Sequence, residues 1–351
     1  MTRSGSSSNA TTPCPPRHAL VTGGAGFVGS ALVRHLLTHG ASVTVLDDFS
    51  TGRVANLPQG PQAQGLLRVV TGDVRVPADY REALAECDIV FHLACRNLRF
   101  SLRDPATTDA VNTGGTLALL SVVRRTRPRC LVHVSSSEVY GRVARAPIVE
   151  ESVTRSTTAY VASKLAGESH VYAAGITDGL PVIVARPFNA YGPRCHHEGD
   201  SGEVIPRFIL RALAGRPLPI FGNGEQTRDF TYVDDLAAML CRLASTPAAV
   251  GKVVNLGSGK DIAIGELAQR VGRAVGRDID VQYHPERPGD LPRLRADTTR
   301  ACRLLGPLPA TPLATGLARL VNWYRTSGCP PEQLLAQEQL NTWDTVADAD
   351  T

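Results

Sequence analysis

Thr22-Gly23-Gly24-Ala25-Gly26-Phe27-Val28-Gly29 decides the fold of this chain. It follows an apolar run of strand length, His18–Thr22, and opens a segment with helix-period apolar positions, Val28–His39. In that context Gly23, Gly26 and Gly29 permit a tight turn, close backbone approach to a pyrophosphate, and close packing of helix on strand. The helix start, with Phe27 and Val28 in its first turn, offers unpaired N–H groups to the anion. A second strand, Ser42–Asp47, ends about 20 residues on, where a carboxylate meets the adenosine ribose. Asp47 there accepts ribose hydroxyls and repels a 2′-phosphate, so the loop reads as an NAD site. Arg53 lies close enough in sequence to keep NADP in view.

Outward from the loop, strand-like runs alternate with helical patterns. After Ser42–Asp47 come Leu67–Thr71, Asp88–Leu93, Cys130–Ser135 and Pro181–Arg186. Between them lie Tyr80–Cys87, Thr113–Arg125 and Ala159–Ala174. Such alternation predicts an α/β fold of Rossmann type, a doubly wound parallel sheet with helices on both faces. Residues 17–186 form the NAD-binding domain on this reading, with interleaved segments after 186. Residues 187–325 form a smaller mixed α/β substrate lobe, with helices predicted at Ile205–Ala214, near Ile264 and near Thr315. Asp234-Asp235 reads as a helix N-cap. Residues 1–16 read as a disordered leader and 326–351 as a peripheral tail.

The bulk numbers fit an ordinary globule. The chain has 351 residues, 43% apolar and 20% charged, with a net charge of +4. Its arginines are scattered, which argues against a nucleic-acid partner and is compatible with local phosphate sites. No apolar run reaches the length of a membrane span, and no secretory pattern is present. Eight cysteines without a CxxC pair read as free, mostly buried thiols in a reducing compartment, the cytoplasm. His196-His197 lacks accompanying ligand spacing, so no metal is expected.

Tyr160-Val161-Ala162-Ser163-Lys164 supplies chemistry for the loop. Tyrosine and lysine four apart share one helix face. The ammonium of Lys164 favours phenolate, lowering the Tyr160 pKa toward that of a general base. Beside a nicotinamide, that base removes a hydroxyl proton while hydride leaves the same carbon. Ser135-Ser136-Ser137-Glu138-Val139-Tyr140-Gly141 follows a buried strand and sits at its carboxyl end, over the ligand crevice.

Together these segments resemble the extended short-chain dehydrogenase/reductase family, particularly its nucleotide-sugar epimerases and dehydratases. The ordered set is TGGAGFVGS, LDDFSTG, GDV, HLAC, NTGGT, SSSEVYG, YVASK, RPFNAYGPR, GEQTRDFTYVDD and RPGD, from about Arg17 to Tyr324. The resemblance implies that Asp73 and Val74 contact adenine. It implies that Leu93 and Ala94 line the pyrophosphate-ribose crevice, and Pro187 and Phe188 the nicotinamide end. Ser136 becomes the catalytic hydroxyl that holds the sugar O4, with Tyr160 and Lys164 beside it. Arg228 and Arg287 suit the nucleotide diphosphate, since a guanidinium gives two-pronged bonds to phosphate. Asn189 is expected on a sugar or phosphate oxygen, and Asp290 on the nucleotide ribose. Cys95 stands where alanine is usual and reads as a small buried thiol.

Ser137 and Glu138 carry the subclass, and they pull two ways. Ser-Glu there is similar to UDP-glucuronate decarboxylases and some dehydratases, and His196 is similar to the decarboxylases. However, Leu294 aligns with the arginine that holds the decarboxylase substrate's carboxylate, with Arg293 and Arg295 flanking it. RPGD is similar to the epimerases. The leading expectation is an NAD-dependent 4-epimerase of a nucleotide sugar, UDP-linked, acting as a homodimer through Ala106–Arg125 and Ala159–Ala174. The rivals are UDP-glucuronate decarboxylase and a 4,6- or 5,6-dehydratase, all sharing C4 oxidation. A non-catalytic NAD-binding regulator stands further off.

Overall fold

The computed structural model describes residues 16–340, except 61–62, 143–144, 200–201 and 287–290. Seven strands form one sheet, and every pairing in it is parallel. Six come from the predicted runs: β1 His18–Thr22, β2 Ser42–Asp47, β3 Leu67–Thr71, β4 Ile89–His92, β5 Cys130–Val134 and β6 Val182–Pro187. Their order is β3-β2-β1-β4-β5-β6, continued by Val253–Leu256 beside β6. The chain therefore reverses its winding between β1 and β4, and a crevice opens there at the carboxyl ends of the strands.

Interior strands are apolar on both sides because helices cover both faces. On one face the helix Phe27–Thr38 packs with Val233–Ala244 and Ala301. On the other lie Arg81–Ala85, Gly115–Thr126 and Ala159–Thr177. The strand Val253–Leu256 and the helix Val233–Ala244 come from the second half of the chain yet complete the first half's sheet and cover. Sequence periodicity did not single out that strand.

The lobe has its own core, built on Val204–Leu213, Ile264–Val275 and Leu313–Arg325. Two expectations change here. Asp234 and Asp235 lie in the first turn of their helix, and Tyr232 holds the cap position without a side-chain cap bond. Asp235 instead accepts the backbone N–H and hydroxyl of Thr311, at 2.6 and 3.0 Å, pinning a distant loop. The segment after 326 is less peripheral than expected up to residue 340. Leu335 is 3% exposed, and Glu338 pairs with Arg211 at 2.8 Å in a shielded contact. The leader, apart from Pro16, and residues 341–351 lie outside the described residues.

Candidate active site

A cavity of about 780 Å³ runs from the β1/β4 crevice into the lobe. Its first wall is the glycine loop. Gly23 has φ +68°, and a Cβ on it would sit 2.8 Å from the Ala94 nitrogen. A Cβ on Gly29 would lie 2.1 Å from the Gly23 carbonyl oxygen. Both positions therefore demand glycine, and the backbone is left bare toward the cavity. No side chain caps the first turn of Phe27–Thr38, and Gly26, Phe27, Val28 and Gly29 line the cavity.

Asp47 closes the end of β2. Its carboxylate accepts the Ala25 and Phe49 N–H groups, each at 2.9 Å. Burial nonetheless pushes its pKa up, against the pull of those two bonds. Arg53 is turned to Glu198 at 2.8 Å. Further along, Arg75 grips Asp73 and holds that carboxyl below the usual range. Asp73, Val74, Leu93, Ala94 and Pro187 all line the same cavity. A bare glycine turn with an uncapped helix start, ending in a shielded acid, fits a dinucleotide's pyrophosphate and ribose.

At the other end Ser136 begins a short turn, Ser137–Tyr140, and its Oγ accepts the Glu138 N–H at 3.2 Å. Tyr140 anchors that turn through a 2.6 Å bond from its hydroxyl to Asn255 Oδ1. The helix Ala159–Thr177 starts at Thr158, whose Oγ1 accepts the Val161 N–H. It aims Tyr160 and Lys164 into the cavity with Ser136, Ser137 and Glu138. Asn112, in a π-turn before Gly115, ties the helix to the loop after β4. Its amide bonds both backbone groups of Arg96, at 2.7 and 3.1 Å, and the Ser163 hydroxyl at 2.9 Å.

The expected depression of the phenol is not what this geometry produces. Burial raises the Tyr160 pKa, with Cys95, Glu138 and Glu203 adding to it and a hydrogen bond with Ser136 opposing. Lys164 donates to the Val134 carbonyl at 2.9 Å, and its Nζ lies 5.9 Å from the Tyr160 ring centre. Burial is the largest of these influences, because it disfavours the charged form. Cys95 is partly exposed to the cavity rather than buried.

Asn189 and Arg228 also line the cavity. Asn189 Oδ1 is buried without a partner, as a ligand-facing atom would be. One Arg228 nitrogen donates to the Leu291 and Thr227 carbonyls, at 2.7 and 2.8 Å. Leu294 is buried, and its flanking arginines turn to Asp261: Arg293 at 2.7 Å, Arg295 at 3.8 Å. Arg287 and Asp290 lie outside the described residues. Sequence reading missed Glu203, Ser135, Arg96 and Arg99 on the cavity wall. Nothing but their place after a strand or before a helix could have flagged them.

Residues 19–257 match the NAD dependent epimerase/dehydratase family. The chain belongs to that family. This NAD-dependent family is the extended short-chain dehydrogenase/reductase type that the motifs resemble. A UDP-glucose 4-epimerase of Mycolicibacterium smegmatis is 38% identical over 310 residues, covering 87% of this chain and 98% of the relative. A UDP-glucuronic acid decarboxylase of Xenopus tropicalis is 35% identical over 315 residues, 88% of this chain and 72% of the relative. The crystal structure of a dTDP-glucose 4,6-dehydratase from Streptomyces venezuelae with NAD bound superposes with a TM-score of 0.81. It shares 32% identity and covers 88% of this chain and 97% of that one. Family membership fixes NAD as the cofactor and an enzyme as the class, with relatives spread over three reactions. Among the described residues no helix is long and apolar enough to cross a membrane, and no metal-binding cluster is found.

Proposed function

We propose that the chain is an NAD-dependent nucleotide-sugar 4-epimerase working by transient oxidation at C4. The observation that carries this reading is the convergence of Ser136, Tyr160 and Lys164 on the cavity that holds the glycine cradle. NAD in that cradle supplies a reversible hydride acceptor, regenerated each cycle. Gly23, Gly26, Gly29 and the first turn of Phe27–Thr38 would hold its pyrophosphate, with Asp47 at its ribose and Asp73 at its adenine. Ser136 holds the sugar O4, and Tyr160 removes the O4 proton and returns it after the ketone has turned over in the pocket. Burial keeps the phenol protonated at rest. Lys164, four residues on and on the same helix face, would favour the phenolate when substrate arrives. Asn189 and Arg228 bind the sugar and diphosphate, with Arg287 and Asp290 assigned from sequence alone.

The decarboxylase reading loses ground to Asp261, which engages both Arg293 and Arg295 away from the cavity wall. A dehydratase is the second reading, favoured by Glu138 beside Tyr160. Exposed Leu117, Tyr172 and Ile176 on the two long helices support a homodimer through that face, and the free thiols a reducing compartment. A panel of UDP-, dTDP- and GDP-sugars, followed by product mass, tests the reaction. Interconversion without mass change is expected; loss of carbon dioxide or of water would replace the reading with a rival.

A further inference from the structure

Tyr160, Lys164 and Glu168 stand four residues apart on the helix Ala159–Thr177, so they share one side of it. The first two line the cavity, whereas Glu168 is buried beyond its edge. Arg186, on β6, grips that carboxylate with two bonds, Nε to Oε1 at 2.9 Å and Nη2 to Oε2 at 2.6 Å. The same guanidinium lies 4.8 Å from the ring centre of Tyr140, the residue that closes the turn after Ser136. Its Nη1 donates to the Glu150 carbonyl at 3.3 Å. Pro187, the next residue along β6, lines the cavity.

Tyr140 is held from its far side as well. Asn255, which accepts its hydroxyl, lies on the strand Val253–Leu256. The Asn255 amide donates to the Ile148 carbonyl at 2.9 Å, and its backbone N–H to Glu150 Oε1 at 3.0 Å. Tyr140, Glu168, Arg186 and Asn255 are all buried, and none is part of the cavity wall. Ser136 and Tyr160, whose side chains hydrogen-bond each other, are thus borne by elements that one guanidinium joins behind that wall.

We propose that Arg186 is a positioning residue, fixing the helix that bears Tyr160 against the turn that bears Ser136. It acts through Glu168 on one side and Tyr140 on the other. Its two-pronged grip sets direction as well as distance, which the point charge of a lysine does not. A displacement of about 1 Å, made far from the chemistry, can cost roughly a hundredfold in rate. The inference rests on the C4 oxidation proposed above, since that step needs Ser136 and Tyr160 together on one sugar oxygen.

The test uses full-length, NAD-loaded protein, with rates counted per bound NAD so that lost folding does not register as lost catalysis. Arg186→Lys and Glu168→Gln should each lower kcat roughly ten- to hundredfold, with KM and the Kd for NAD within about twofold of wild type. Tyr140→Phe keeps the ring beside the guanidinium and frees only its far anchor, so it should fold readily and lose about tenfold or less. Wild-type kcat in Arg186→Lys and Glu168→Gln would overturn the proposal, as would losses that fall on KM alone. Crystal structures of wild type, Glu168→Gln and Tyr140→Phe give a readout that needs no turnover. The Ser136–Tyr160 hydrogen bond should lengthen by about 1 Å or break in the variants, and unchanged geometry in both would overturn the positioning role. If wild type converts no nucleotide sugar, the epimerase reading falls, and this structural comparison alone decides for or against Arg186.

Discussion

The crevice between β1 and β4 presents largely backbone to its ligand, whereas the pocket around Tyr160 presents charged side chains gathered from across the chain. In the crevice, a Cβ at Gly23 or Gly29 would collide with main-chain atoms. Geometry there is set within a few residues of one motif. In the pocket, Glu138, Tyr160 and Glu203 come from three separate elements, and the electrostatics depend on how these pack. The crevice therefore tolerates few substitutions but serves any NAD chemistry. The pocket tolerates many, and each alters which sugar is taken and what happens to it.

Substitutions can break this contrast at either end. The largest effect is expected at Tyr160. Tyr160→Phe should keep NAD and nucleotide binding yet lose roughly 10²–10⁴-fold in turnover, the range of general acid–base catalysis. Retained wild-type turnover would remove Tyr160 from the chemistry. Next comes the crevice itself: Gly29→Ala forces a methyl against the Gly23 carbonyl. That overpacking should cost about 1–3 kcal/mol of stability, read from the unfolding midpoint, and empty the cofactor site. Gly26→Ala, whose Cβ would meet the same oxygen at 3.2 Å, should be the gentler of the two.

A smaller change is expected from the acid at the end of β2. Wild type should bind NAD more tightly than NADP, and Asp47→Asn should shift that ratio toward NADP by about tenfold, since one charge repulsion is removed. Tighter NADP binding by wild type would mean Asp47 does not meet the ribose. The smallest effect sharpens the subclass. If the protein is an epimerase, Glu138→Gln should cost less than about threefold in turnover, because the amide keeps volume and hydrogen bonding. In a dehydratase or decarboxylase the same change would stall the enzyme after oxidation, leaving NADH absorbance and a trapped 4-ketone.

Short-range patterns in the chain already specify most of the sheet, its cofactor loop and the placing of tyrosine and lysine on one helix face. The physical reason is locality: strand and helix periods, glycine spacing and an i, i+4 pair are set by short-range geometry. Six of the seven strands followed from runs of apolar residues, since parallel strands buried on both faces read as such. That Val253–Leu256 joins the sheet depends on long-range packing, because its short run gains meaning from the edge of β6 it meets. Packing alone likewise placed Glu203 by Tyr160 and drew Arg293 and Arg295 to Asp261. It also reversed the expected direction of the Tyr160 pKa. Spacing put the ammonium on the phenol's helix face, but burial, a property of the whole fold, disfavours the charged phenol.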